Sequence, residues 1–202
     1  MVALALILIC YIMFYNFSPG AVFSSCPFFS NIIIIASLIL FILLYVFVLK
    51  NRISFMEIFI HEFTHMVVTL MAFRKIYSFS VSKTEGLVYK SGRMGFMELL
   101  APYSIPVIPL FMLLIFYISD SRYQQYVLLI IAISYLLYLL RSIAQFSFRQ
   151  DDIQRSGKLF SLVFVLGTNL IFLLFFIHFF CGDVPSFFKL LNFNNIQKAL
   201  TL

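Results

Sequence analysis

Ser54-Phe55-Met56-Glu57-Ile58-Phe59-Ile60-His61-Glu62-Phe63-Thr64-His65-Met66-Val67-Val68 decides the reading of this chain, because it places a His-Glu-x-x-His string inside an otherwise apolar run. Ser54 and Glu57 have capping-box spacing, and Ile53 and Ile58 are placed for a hydrophobic staple, so a helix starting near Phe55 is expected. Glu57 reads first as part of that cap and second as a support for the site. At a rise of 1.5 Å per residue, His61 lies roughly 10 Å and His65 roughly 16 Å into the helix, and their spacing of four puts them on one face. Two imidazoles one turn apart can hold Zn²⁺ at about 2.0–2.1 Å, while Glu62, beside His61, can reach metal-bound water as general base. That is half of a hydrolytic site. With three His and four Glu in 202 residues, chance yields this string roughly once in a thousand such sequences. Charged groups at membrane depth cost roughly 2.5–3.5 kcal/mol each on insertion scales and are functional by default unless paired. A hydrogen-bonded pair of packed histidines is the plain alternative.

The surroundings of this string are those of a membrane protein. Of the residues, 63% are hydrophobic and 11% charged, and the mean hydropathy is +1.05, against roughly 25% charged in an average soluble domain. With 27 Phe, 11 Tyr and long runs free of charge, a disordered chain, a basic nucleic-acid module and a small secreted disulfide scaffold are excluded. A chain embedded in a lipid bilayer remains, with no nucleic-acid partner expected. The net charge of +6, from 14 Lys and Arg against 8 Asp and Glu, fits cytoplasmic loops or anionic lipid. Cys10, Cys26 and Cys181 are odd in number and widely spaced, which reads as structural or incidental thiols in place of a disulfide or metal site.

A span needs about 20 largely apolar residues, and six segments qualify, at 2–16, 31–49, 55–73, 99–118, 123–140 and 159–180. The first is short and ends at Asn16 and a Ser18-Pro19-Gly20 turn; lacking a basic n-region, it reads as a span and not a signal sequence. The expected fold is an all-α integral membrane protein of about six transmembrane helices, forming one polytopic domain over 1–202. Only Arg74 to Gly95 and Gln145 to Lys158 are polar enough to stand in water. The first alternates in Tyr77-Ser78-Phe79-Ser80-Val81-Ser82, turns through Thr84-Glu85-Gly86 and continues in Leu87-Val88-Tyr89, predicting a β-hairpin between the third and fourth spans. With the N-terminus outside, the inner loops hold Arg74, Lys75, Lys83, Lys90, Arg93, Arg141, Arg149, Arg155 and Lys158, and the outer ones Lys50, Arg52, Arg122, Lys189 and Lys198. The positive-inside rule therefore puts both polar loops in the cytoplasm.

A catalytic zinc needs a third protein ligand and an open position for water. The remaining acids and His are Glu85, Glu98, Asp120, Asp151, Asp152, Asp183 and His178. Asp151 and Asp152, in Gln150-Asp151-Asp152-Ile153-Gln154-Arg155-Ser156-Gly157, stand where a carboxylate enters the bundle, although a helix N-terminus also favours acids there. Glu98 begins the fourth span and reads as a ligand, a cap or an interfacial carboxylate. His178, among Phe and Ile, reads as a satisfied interfacial side chain. Pro102, Pro106 and Pro109 predict a kinked or broken fourth span, since each removes a backbone donor, and the break either shapes a cleft or only packs. Asn169 reads as an interhelical hydrogen-bonding amide, with substrate holding as the lesser alternative.

Taken together, these residues resemble the site-2 protease family of intramembrane zinc metalloproteases. The resemblance rests on His61-Glu62-Phe63-Thr64-His65 within a span, a small polar hairpin after it, the Leu100-Ala101-Pro102-Tyr103 segment and a later span introduced by Asp, covering about 54–180 as the metalloprotease core. Only the His-Glu-x-x-His string is highly specific. The family usually carries its third ligand as an Asp before Gly in a string with Asn and Pro, which this chain lacks; Asp152, five residues before Gly157, is the nearest counterpart and Asp151 its close rival. The resemblance implies Zn²⁺ on His61, His65 and Asp152, and hydrolysis of a membrane protein or peptide, with Glu62 deprotonating zinc-bound water and zinc polarising the scissile carbonyl. It also implies a hairpin that adds a strand to an unwound substrate. A prenyl-protein-protease type of enzyme would use Glu98 as third ligand instead. A non-catalytic zinc-binding or accessory membrane protein, and a transporter, are the readings outside proteolysis.

Overall fold

The computed structural model describes residues 1–24, 26, 32–45, 54–82, 86–92 and 94–191. Ile53 of the expected staple, the turn residues Thr84 and Glu85, and the charges Lys50, Arg52, Lys83, Arg93 and Lys198 lie outside the described residues. The chain is mostly helical. In order it runs α1 (Val2–Asn16), α2 (Pro19–Ser24), α3 (Ile32–Leu44), α4 (Ser54–Met71), β1 (Ile76–Val81), β2 (Gly86–Lys90), α5 (Phe96–Ser104), α6 (Val107–Ile118), α7 (Ser121–Gln145), α8 (Asp151–Ser156), α9 (Lys158–Phe180) and α10 (Val184–Lys189).

Among the described residues two helices are long and apolar enough to cross a membrane, α7 and α9, with 25 and 23 residues. At 1.5 Å per residue they are about 37 and 34 Å long, against about 30 Å of hydrocarbon. A third span results if α5 and α6, bent by 71° at their junction, are counted together. Six spans are therefore not confirmed, and the second, at 31–49, lies partly outside the described residues. The first is α1, a shorter apolar helix of 15 residues, and in α4 the polar site residues dilute the apolar run. Large apolar side chains point outward on α1, α6 and α9, among them Phe14, Ile118 and Leu159, which suits lipid as solvent.

The break between α5 and α6 follows from the prolines. Pro102 sits inside α5 and Pro106 caps α6. The residue before a proline is pushed out of the helical region, and Ile105 is extended at φ −121°, ψ 114°. Val107 N–H then bonds to the Ile105 carbonyl at 2.9 Å. The Tyr103 carbonyl, left without a helical donor from that residue, accepts from Ser142 Oγ at 2.7 Å and Tyr138 Oη at 3.0 Å on α7.

The chain forms two compact units, residues 1–36 with 162–202, and residues 37–161. In the first, Met13, Leu174, Phe187 and Leu190 make the core, and Asn16 Nδ2 donates to the Leu190 carbonyl at 3.0 Å. Gly167 lets α1 approach α9 closely: a Cβ there would come within 2.7 Å of Leu6. His178 is buried and its Nδ1 donates to the Leu174 carbonyl at 2.8 Å, a satisfied histidine. Asn169 Nδ2 bonds back to the Val165 carbonyl of its own helix. The thiol reading needs correction, because Cys26 and Cys181 form a disulfide and only Cys10 is free. Their 155-residue separation hides the pair from any spacing rule.

In the second unit α4 packs on the hairpin and on α5, α6 packs on α7, and α5 also meets α7 and α8. The strands are antiparallel, pairing Phe79 with Val88 and Val81 with Gly86, with an irregularity between Ile76 and Ser78. The alternation expected of a half-buried strand holds here: Phe79 and Val81 turn inward while Ser78 and Ser80 are exposed. Phe79 meets Phe59 of α4 edge to face at 5.9 Å, and Phe59 stacks on Phe55 and Phe63 along the same helix.

Candidate metal centre

The helix expected over the His-Glu-x-x-His string is α4, and the one-turn spacing brings His61 Nε2 and His65 Nε2 to 3.2 Å. Asp152, in the first turn of α8, completes the group: its Oδ2 lies 3.7 Å from His61 Nε2 and 3.5 Å from His65 Nε2. Asp151, the neighbouring candidate, is exposed. His61, His65 and Asp152 can hold a metal ion.

The hydrogen bonds behind these ligands bear on that capacity. His65 Nδ1–H donates to the Glu98 carbonyl at 2.7 Å, and His61 Nδ1 faces Gln145 Oε1 at 3.4 Å. A backbone carbonyl cannot donate, so a neutral His65 ring holds its proton on Nδ1 and turns the Nε2 lone pair inward, and His61 does the same when Gln145 presents its Oε1. Two lone pairs and a carboxylate oxygen then converge with no proton among them, an arrangement that a cation stabilises. Ligand atoms sharing a tetrahedral ion at about 2.0–2.1 Å stand about 3.3 Å apart, close to the 3.2, 3.5 and 3.7 Å found here.

The Glu98 carbonyl is available to His65 for a covalent reason. Four residues on stands Pro102, which has no N–H to give it. The Glu98 carboxylate itself is engaged elsewhere: it accepts from Gly95 N–H at 2.7 Å, pairs with Arg74 at 3.2 Å and is bonded by Lys90. Thr69 Oγ1 adds a bond at 3.3 Å. Of the three readings of Glu98, the cap therefore describes its side chain. Lys90 and Arg141, counted above among loop charges, are instead buried, Lys90 against Glu98 and Arg141 within α7, where it donates to the Glu57 carbonyl.

Glu62 occupies the next position of α4, beneath the start of β2, and a Cβ on Gly86 would overlap its side chain. Glu57 lies in the first turn of α4, its carboxylate 3.5 Å from the Tyr45 hydroxyl. Gln145, Lys90 and Arg141 were not singled out as site residues from the sequence, although each is a polar residue at or near the border of an apolar run. The aromatic Tyr103, buried with its ring 5.4 Å from that of His61, entered the sequence reading only as part of the Leu100-Ala101-Pro102-Tyr103 segment. No protein family, curated protein or solved structure matches the chain.

Proposed function

We propose that this chain is a zinc-dependent endopeptidase of the membrane, multi-pass and similar to the site-2 proteases, that hydrolyses peptide bonds of membrane protein substrates. The observation that carries the reading is the convergence of Asp152 on His61 Nε2 and His65 Nε2, with both Nδ1 atoms facing acceptors. His61, His65 and Asp152 would hold the ion, and three protein ligands leave the position that a catalytic zinc keeps open. When bound, the ion supplies Lewis acidity, polarising the scissile carbonyl and making the attacking water more acidic.

The chain's own residues do the rest. Glu62, adjacent to His61 on the helix, takes a proton from the attacking water as its oxygen bonds to the carbonyl carbon, and gives that proton to the amine nitrogen as the C–N bond breaks. Gly86 limits where the Glu62 side chain can lie. The two-stranded hairpin has outer edges to which an extended substrate segment can add. The engaged carboxylate of Glu98 weighs against the prenyl-protease arrangement.

The test is zinc per chain, measured on protein purified in mild detergent, for wild type, His65→Ala, Asp152→Asn and Glu98→Gln, with folding checked for each. About one zinc per chain, lost with His65 and Asp152 and kept with Glu98, is the expected result. Loss of cleavage in Glu62→Gln with zinc retained completes the case, and folded wild type without zinc would sink it.

A further inference from the structure

Beside the metal centre is a cavity of about 190 Å³, and His61 is part of its wall. Ile60 lines it from α4, Ile108 and Pro109 from the start of α6, and Leu137 from α7. The proline break between α5 and α6 thus does more than pack: the bend opens a chamber that continues from a candidate metal ligand. An apolar cavity of about 150 Å³ accepts benzene, so the volume here has room for a single leucine- or phenylalanine-sized side chain, within a wall that also carries Glu57, Thr64, Ser134 and Gln145.

Among the polar groups on the wall, Arg141 stands out. Arg141 is 9% exposed, and while its guanidinium donates to the Glu57 carbonyl, its Nε–H is buried with no acceptor among the described residues. Buried donors are as a rule satisfied by protein, water or a bound group, so this one can take an acceptor that a ligand brings. Glu57, on the same wall, acts on the Arg141 charge with its own carboxylate. The missing partner is therefore better met by a neutral carbonyl than by a second anion.

We propose that this cavity is the substrate's side-chain subsite, taking one large apolar residue next to the scissile bond while Arg141 Nε donates to a backbone carbonyl of the same segment. The inference rests on the hydrolase reading above and gives it a substrate preference: membrane segments cleaved beside leucine or phenylalanine, in place of glycine or charged residues.

The probes are N-acetyl-leucine hydroxamate, its glycine counterpart, and leucine hydroxamate without the acetyl carbonyl, titrated into zinc-loaded full-length protein in detergent. Wild type is expected to bind the acetyl-leucine compound at least tenfold more tightly than the glycine one. Leu137→Trp, which fills the cavity, removes that preference without changing zinc content or glycine-compound affinity; Ser134→Leu fills it from the same helix if the first variant does not fold. Arg141→Lys keeps the charge but lacks Nε, and is expected to weaken the acetylated leucine compound about tenfold and the unacetylated one little. Equal binding of leucine and glycine compounds by zinc-loaded wild type, or an intact preference in the filled variants, overturns the subsite while leaving the metal centre standing. Failure of wild type to hold zinc overturns the hydrolase reading and this inference with it.

Discussion

Gly86 presses on Glu62: a Cβ at position 86 would overlap the glutamate side chain and approach Ile58 within 2.9 Å. The first residue of β2 thereby fixes the space left to the proposed general base on α4. A methyl group there must move either the carboxylate or the hairpin. Gly86→Ala is expected to keep zinc on His61, His65 and Asp152 but to lower cleavage by about a hundredfold, the scale of a misplacement of about 1 Å at a catalytic group. Side-by-side zinc content and initial rate check this; an unchanged rate would show that Glu62 tolerates displacement.

Lys90 and Glu98 form a buried ion pair that ties β2 to α5. Breaking one side leaves an uncompensated charge, which costs about 3–5 kcal/mol, whereas replacing both partners by apolar residues can be neutral. Lys90→Met is expected to lower the thermal midpoint markedly, and Lys90→Met with Glu98→Leu to recover most of the loss. Arg74, 3.2 Å from Glu98, softens the first effect. Equal destabilisation in single and double variants would argue that the lysine stem, and not the pairing, matters.

Cys26 and Cys181 are joined and Cys10 is free. Unfolding without reductant and alkylating should therefore label one of the three cysteines, and labelling after reduction all three, as read by intact mass. Disulfides persist in oxidising compartments, so the Cys181 end of α9 is expected on that side of the membrane, with Lys158, at the other end of the helix, in the cytoplasm. Labelling of all three thiols without reductant would remove both expectations.

How much of this was legible in the sequence varies with the range of the interaction. The α4 helix, the paired histidines and the hairpin are local patterns, and the structure has each close to where the pattern puts it. The proline-rich segment predicted a break because the missing N–H groups are covalent facts, and α5 and α6 part between Ser104 and Val107. The Cys26–Cys181 pair was misread and Gln145 was not singled out, because both depend on residues 155 and 84 positions away. Lys90 was misread for another reason: a lysine in a polar loop looks solvated until its buried partner, Glu98, is placed beside it.

Pro102 offers the sharpest test, because its replacement should strengthen a helix and weaken a metal site together. As proline it gives no N–H to the Glu98 carbonyl, and that oxygen accepts from His65 Nδ1 at 2.7 Å. Pro102→Ala restores a helical donor aimed at the same oxygen and removes a residue that costs roughly 3 kcal/mol in a helix interior. Hydrogen bonds that hold a ligand's far nitrogen typically contribute about 10- to 100-fold in metal affinity. Since a carbonyl has two lone pairs and can share them, the expected loss is at the low end, about tenfold in zinc affinity. The zinc-free protein should meanwhile melt no lower than wild type. Competition with a chelator of known affinity reads the first quantity and a thermal scan the second. Zinc affinity equal to wild type would show that the His65 ring is held by its packing in α4 and α5 and does not need the carbonyl.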